Sequence, residues 1–415
     1  MKRILVLGGG AAGILAAISA GEHADRGTEV LLLEQNPKLG KKLLATGNGR
    51  CNLDNADPHS GRYFSSDRAM LEEMLTSIEN LNLPRWLAQH GLVSRTDEAG
   101  RVYPYSNPAS DVLELLLYWL ERNHVKVRTE CKVKSVTRKD QCWSVALENG
   151  EAIRADAVIC AMGGKAGPQF GTDGFAFALA RQSGCRYEPI YPCLVPLKCE
   201  KRQVADLAGI RVKAAATLLE KGRPLAQEEG EIQFTDYGLS GIAIMNLSGC
   251  FSPARDPKAL SISLNLFPQE TEESLVRLLC SRSKLFARGD LSSFMTGLIQ
   301  HRVGLAVWKG AGLGSEKRQV SSLRAEEWQK LAHTFQHWTF TGLAPKEWKQ
   351  AQTTGGGIQL SLMDPLTFQR KGVPGLYFVG ETLDCAGQCG GYNLHWAFGT
   401  GILAGRDAAK YCSKS

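Results

Sequence analysis

The sequence predicts an α/β fold that opens with a strand, a helix and a second parallel strand around a glycine-rich turn. Three observations carry this expectation. Arg3 to Leu7 is a short run rich in Ile, Leu and Val, the pattern of a strand buried on both faces. Gly8-Gly9-Gly10-Ala11-Ala12-Gly13 follows at once and satisfies G-x-G-x-x-G. Ile14 to Ala20 are good helix formers, and Val30 to Leu33 form a second apolar run ending in Glu34.

Each part has a mechanical reason. Gly8 permits the tight turn, Gly10 lets the backbone approach a pyrophosphate, and Gly13 lets helix and strand pack closely. Ala11 and Ala12 begin the helix, whose unpaired N–H groups and positive dipole end face the phosphates. Glu34 stands where a carboxylate accepts hydrogen bonds from the adenosine ribose. The unit is therefore Rossmann-like and dinucleotide-binding. The fingerprint alone does not choose between FAD and NAD, while the negative charge of Glu34 argues against a 2′-phosphate at this site.

Further along, helices are expected near Asp67 to Asn80 and Asp111 to Asn123, the second opened by a capping box of Asp111 and Glu114, with Pro84 interrupting any helix between them. Strands near Val125 to Val136 and Cys142 to Leu147 meet at turn-like residues. Val158 to Ala161 reads as an apolar strand running into Met162, Gly163 and Gly164, which closes the first α/β half. From about Glu188 the pattern changes to short alternating segments: Val195 to Cys199, Val212 to Leu219, Glu231 to Thr235 and Leu260 to Leu266. Thr271 to Trp348 looks mainly helical, with Trp308, Trp328, Trp338 and Trp348 as packing anchors. Gly375 to Gly380 resumes a buried strand, and Gly390-Gly391-Tyr392-Asn393 precedes the helix-like Leu394 to Ala404.

Composition narrows the function classes. With 43% hydrophobic and 22% charged residues over 415 positions, the chain is neither disordered nor fibrous. The net charge of +7 is spread without a dense Lys/Arg tract, so it suits anionic cofactors better than a dedicated nucleic-acid groove. Twelve cysteines lie in apolar settings without Cys-x-x-Cys, which points to reduced structural thiols, a cytoplasmic setting and no metal site. Met1-Lys2-Arg3 and the apolar residues after them imitate a signal peptide, but Gly8 to Gly10 interrupt the helix such a segment needs. No membrane span is expected.

The stretch Pro37 to Asn52, which contains Gly40-Lys41-Lys42 and Thr46-Gly47-Asn48-Gly49-Arg50-Cys51-Asn52, closely resembles the signature of the YhiN/BaiN-type flavoproteins, also called aminoacetone-oxidase-like. Gly100 to Pro104, Phe234 to Gly241, Thr354 to Gly357, Gly375 to Asp384 and Gly390 to Leu394 recur in the family's order. The resemblance implies an FAD domain built from both chain ends, with a β-barrel-like and a helical insert. The expected organisation is 1–188 and 351–415 for the FAD domain, 189–268 for the β-rich module and 269–350 for the helical one. It also implies that Lys42, Thr46, Gly47, Asn48 and Arg50 approach the pyrophosphate and flavin. Val133 meets adenine by its backbone, and Met162 and Gly163 close the first half. Gly380 with Glu381 or Asp384 serves the ribitol, and Gly391, Tyr392 and Asn393 bring a helix N-terminus to the isoalloxazine.

The activity expected from that resemblance is reduction by bound FAD of an electron-poor C=C bond in a steroid- or bile-acid-like enone, an ene-reductase drawing electrons from transient NAD(P)H. Two alternatives stand beside it: an oxidase or dehydrogenase of a small amine or amino ketone, and an FAD-binding RNA-associated protein. Tyr392, His395 and Tyr105 are the conceivable proton donors.

Overall fold

The structure, a computed structural model, describes residues 1–139 and 142–414. The chain divides into two compact units, Met1–Cys193 together with the chain from Trp348 onward, and Leu194–Glu347.

The first unit is built on a five-stranded parallel sheet. Its strands are β1 (Lys2–Leu7), β2 (Thr28–Leu33), β3 (Lys126–Arg128), β4 (Ala157–Cys160) and β5 (Leu376–Phe378), in the order β5-β4-β1-β2-β3. All four pairings are parallel. The inner strand β1 is fully buried from Ile4 to Leu7, which is why its sequence is continuous rather than alternating. Helix α1 (Ala11–His23) follows the glycine turn, and α2 (Tyr392–Lys414) comes from the other end of the chain. The two pack at backbone distance. A Cβ on Gly401 would lie 2.3 Å from the Ala12 carbonyl oxygen, and one on Gly405 2.2 Å from that of Ala16. Both chain ends thus make one core, with β5 and α2 completing what β1 and α1 begin.

Three local expectations shift register. The segment expected as one strand over Val125 to Val136 splits into β3 and Val133–Lys139, which belong to different sheets, because Glu130 takes a left-handed φ of 56°. Val133–Lys139 pairs antiparallel with Cys142–Leu147. Part of the turn expected between them, residues 140 and 141, lies outside the described residues. The helix expected from Asp111 runs over Ala109–Arg122 with Pro108 at its N-cap, so Asp111 sits in the first turn and caps nothing, where it still complements the dipole. Pro84 stands at the start of a short helix, Leu83–Gln89, capped by the Asn82 side chain accepting from Arg85 N–H.

The second unit carries a seven-stranded sheet. Its strand order is Trp338–Phe340, Leu260–Asn265, Arg211–Glu220, Arg223–Phe234, Gly238–Ser240, Leu197–Lys198 and Ala344–Pro345. The two edge strands are separated by three residues of chain, a span of at most about 14 Å, so the sheet curls until its edges approach each other in a barrel-like form. Helices Glu272–Leu285, His301–Gly310 and Ala325–Gln336 share a single core with this sheet, in which Phe234 and Ile262 meet Trp308, Leu331 and Phe335. The stretch expected to be helical therefore ends in two strands. Trp308, Trp328 and Trp338 are buried anchors, whereas Trp348 lies half-buried in the first unit under the Lys165 ammonium, 5.1 Å above its ring. The expected boundary at 188 falls inside the strand Tyr187–Cys193, which pairs with Thr353–Ile358 in the first unit.

Candidate cofactor site

A cleft in the first unit opens at the C-terminal ends of β1, β2 and β4, the place where parallel sheets bind ligands. It encloses about 1360 Å³, part of it open to solvent.

The glycine turn divides its work as the spacing implies. Gly8 has φ +105°, and a Cβ there would lie 2.5 Å from the Ala161 carbonyl oxygen. On Gly13 a Cβ would be 1.8 Å from the Gly8 carbonyl oxygen, so helix and strand can touch only through glycine. Gly10 differs from both. Its φ is an ordinary −84°, and a Cβ there would meet nothing within 4 Å. Neither backbone strain nor packing demands glycine at position 10; the empty cone above it faces the cleft. α1 has no side-chain cap and no acidic residue in its first turn, so its leading N–H groups are free to receive an anion. Gly8, Gly10, Ala11 and Ala12 line the cleft, and Gly13 does not.

Glu34, 8% exposed, is held rather than loose. Its Oε2 accepts from Gly9 N–H at 2.7 Å, and its Oε1 accepts from the Asn36 backbone N–H and side-chain amide, both at 2.7 Å. A carboxylate offers about four lone-pair positions, so one remains for a ribose hydroxyl. Val133 lines the same end of the cleft, with Cys131 N–H donating to the Glu34 carbonyl at 2.8 Å.

Around the middle of the cleft, Lys42, Glu381 and Thr354 form one network. Lys42 Nζ donates to Glu381 Oε2 at 2.6 Å and to the Ala166 carbonyl at 3.1 Å. Glu381 Oε1 accepts from the Thr354 N–H at 3.1 Å and from its hydroxyl at 2.8 Å. The Thr354 hydroxyl in turn accepts from the N–H groups of Lys165 and Ala166. Gly164 lies so close that a Cβ would be 2.2 Å from Thr354 Oγ1. Four segments distant in sequence are thereby locked into one wall. Lys42, Thr46, Met162, Gly163 and Glu381 line it.

Of the two carboxylates weighed for the ribitol position, only Glu381 faces the cleft. Asp384 is turned into the protein, where its Oδ2 accepts from the Ser66 N–H at 2.8 Å and hydroxyl at 2.5 Å. Burial raises its carboxyl above the ordinary value, against the opposing effect of the Ser66 bonds. Gly380 also stands outside the lining. It has φ +67°, and its Cβ position lies 2.9 Å from the Ala12 side chain, so it serves the approach of β5 to α1.

At the far end, Asn393 lines the cleft at the start of α2, its amide tied to both backbone groups of Gly387 at 2.9 and 2.7 Å. Gly391 supports this end from behind, where a Cβ would lie 2.1 Å from the Asp54 carbonyl oxygen. Asn48 and Arg50 are exposed and, like Gly47, outside the lining. The Arg50 guanidinium stands 4.8 Å over the Tyr103 ring. None of the three proton-donor candidates lines the cleft. Tyr105 is 68% exposed; Tyr392 packs edge-on against Tyr63 at 5.7 Å; His395 Nδ1 is bonded to Asp54 Oδ1 at 2.7 Å on the other face of α2.

The sequence reading missed one wall, Phe170 to Asp173 with Phe175, along with Gln35 and Asn36. Gln35 donates to the Gly171 carbonyl and Asn36 Nδ2 to that of Phe170 at 3.1 Å, so the loop is pinned across from Glu34. A signal existed: glycines 163, 164, 167, 171 and 174 crowd one short loop. Cys385 also lines the cleft. Burial, with the charge of Asp384 adding to it, holds its thiol well above the ordinary range, so it presents a neutral S–H.

The residues present therefore fit a dinucleotide: an uncapped helix start, a glycine whose side-chain cone is open, a buried acid at the ribose position and a flanking lysine.

Comparison with known proteins extends this. The family model described as HI0933-like protein Rossmann domain matches residues 2–407. The chain is 33% identical over 411 residues to the 3-dehydro-bile acid delta(4,6)-reductase of Clostridium scindens, covering 99% of this chain and 100% of that protein. It is 26% identical over 407 residues to the ribosomal RNA dihydrouridine synthase of Escherichia coli, covering 97% of each. Among solved structures, the 3-ketosteroid delta1-dehydrogenase of Sterolibacterium denitrificans, in complex with 1,4-androstadiene-3,17-dione, aligns with a TM-score of 0.52 at 11% identity. That alignment covers 99% of this chain and 100% of that one, a likeness of fold.

Proposed function

We propose, on the premise that this chain belongs to the HI0933-like family, that it is an FAD-dependent oxidoreductase. It reduces an activated C=C bond in a steroid- or bile-acid-like enone with electrons from NAD(P)H. The observation that carries the reading is the likeness, along the whole chain, to a protein named as a bile acid reductase.

Bound FAD would supply hydride transfer, which no side chain can perform. The chain's own groups do the rest. The start of α1 and the open face of Gly10 would receive the pyrophosphate, and Glu34 the adenosine ribose. The Val133 backbone would meet adenine, and Glu381, oriented by Lys42 and Thr354, would take the ribitol. Asn393 and the positive end of α2 would sit at the isoalloxazine edge. Cys385 keeps that wall uncharged. The insert has no second G-x-G-x-x-G, so NAD(P)H is read as a transient visitor rather than a resident.

A second reading has a specific observation behind it: two curated relatives are named ribosomal RNA dihydrouridine synthase, at 26% identity each. Uracil also presents a C=C bond conjugated to a carbonyl, so the two readings share one chemistry and differ in substrate.

Anaerobic mixing separates them. The protein is reduced with NADH or NADPH and offered a 3-oxo-4-ene steroid or unmodified ribosomal RNA. Reoxidation of the flavin by the steroid, with a product two hydrogens heavier, supports the first reading. Reoxidation by RNA alone transfers the reading to the nucleobase. Oxidation only by air, with peroxide released, would return the oxidase alternative.

A further inference from the structure

The second unit holds a cluster that the flavin reading does not use. Glu272, His333 and His337 each offer a ligand atom, and these atoms all lie within 4.8 Å of one another. His333 lies in the last turn of the helix Ala325–Gln336, and His337 is its C-cap, four residues on. That spacing puts both imidazoles on one face, and their rings lie 4.5 Å apart at 39°. Glu272 is the first residue of the helix Glu272–Leu285, and its Oε2 lies 3.1 Å from His333 Nδ1.

The scaffold under these groups is rigid. Leu275 and Leu279 on one helix and Leu331 and Phe335 on the other are fully buried in one core. The Gln336 side chain donates to the Glu270 carbonyl at 2.7 Å, and Leu266 N–H donates to the Phe335 carbonyl at 2.9 Å. These bonds fix the end of one helix against the start of the other. Packing holds the backbones that carry the donors, while the side chains of His333 and His337 are exposed and that of Glu272 is half-buried.

We infer that Glu272, His333 and His337 form a binding site for a divalent transition metal of the zinc type. Two imidazoles and one carboxylate are nitrogen and oxygen donors suited to zinc, cobalt, nickel or copper, whereas calcium and magnesium require oxygen throughout. A tetrahedral zinc with bonds of about 2.0–2.1 Å separates its donors by about 3.3 Å. The Glu272 to His333 distance already matches, and closing the third donor takes side-chain movement on the order of an ångström. The carbonyl end of the His-bearing helix favours a cation, and Glu270 and Glu273 add negative charge on either side of Glu272. Three protein ligands leave the fourth position to water. The metal clips two helices of the second unit and stabilises it by mass action.

Chelator-stripped full-length protein is titrated with ZnCl2 by calorimetry and with CoCl2 by absorbance. Expected is one equivalent bound at micromolar or lower concentration, with a raised unfolding midpoint and a cobalt spectrum lacking intense thiolate bands. His333→Ala and His337→Ala should each weaken binding by at least about tenfold and abolish the rise in midpoint, and Glu272→Gln should weaken it less. Circular dichroism and a metal-free unfolding midpoint equal to those of the metal-free wild type show that these variants fold. Three results would overturn the inference: no binding at tens of micromolar zinc, affinity unchanged in His337→Ala, or strong thiolate bands that assign the metal to cysteines.

Discussion

At the residue scale, the glycines of the first turn separate fold from function. Gly10→Val places a side chain in open space with an ordinary backbone, so the apoprotein should fold with an unchanged unfolding midpoint while losing its yellow colour. Gly13→Ala does the reverse. Its Cβ would overlap the Gly8 carbonyl, so the variant should lose on the order of 1–3 kcal/mol or more of stability in urea unfolding. Equal behaviour of the two variants in both assays would contradict this division. Asp384 gives a signed pH test. Its carboxyl is raised above the ordinary 3.8 by burial, so the folded state holds its proton more tightly than the unfolded chain. Its contribution to stability is therefore present below the unfolded value and lost as pH rises through the folded one. Asp384→Asn keeps an acceptor for Ser66 and should gain stability over wild type progressively as pH rises above 3.8, with flavin content unchanged. Gly8 and Gly13 were legible because a positive φ and a close helix–strand approach each demand glycine, and Glu34 because it directly follows the buried strand β2. Asp384 and Glu381 were not separable, because two acids three residues apart differ only in which way the chain turns after β5.

At the element scale, α1 and α2 of the first unit pack at backbone distance. Gly405→Leu would drive a side chain into the Ala16 carbonyl, so the helices must separate. The expected cost is about 1–3 kcal/mol or more, seen as a lower midpoint and weaker flavin retention together. A midpoint within error of wild type would show that the helices tolerate wider spacing. Strand and helix types were readable from period and composition, since burial on both faces of β1 leaves an unbroken apolar run. Register was harder. Asp111 and Glu114 satisfy the capping-box spacing, yet Pro108 starts the helix earlier because its fixed φ suits the position. The break at Glu130 turns on a single left-handed residue with no glycine to mark it.

At the scale of the whole molecule, two chain ends about 350 residues apart in sequence contribute to one core and one cleft. Hydrogen exchange should register this: added FAD should protect amides in residues 8–17 and 34–46 and, equally, those in 376–397. Protection confined to the first stretches would remove the C-terminal segment from the site. The joining of the two ends was legible only through the family resemblance, since no local pattern links β5 to β4. The curled sheet of the second unit was legible as a β-rich stretch, but its last two strands were hidden in a segment rich in helix formers and tryptophan.

The most direct measurement is a titration of flavin-free protein with FAD, followed by absorbance and fluorescence, on wild type and Gly10→Val in parallel. The account requires one FAD per wild-type chain, with a resolved shift of the visible flavin bands, and no saturable binding by the variant. A wild-type chain that leaves the spectrum of free FAD unaltered at excess, or a variant that binds as wild type does, would contradict it.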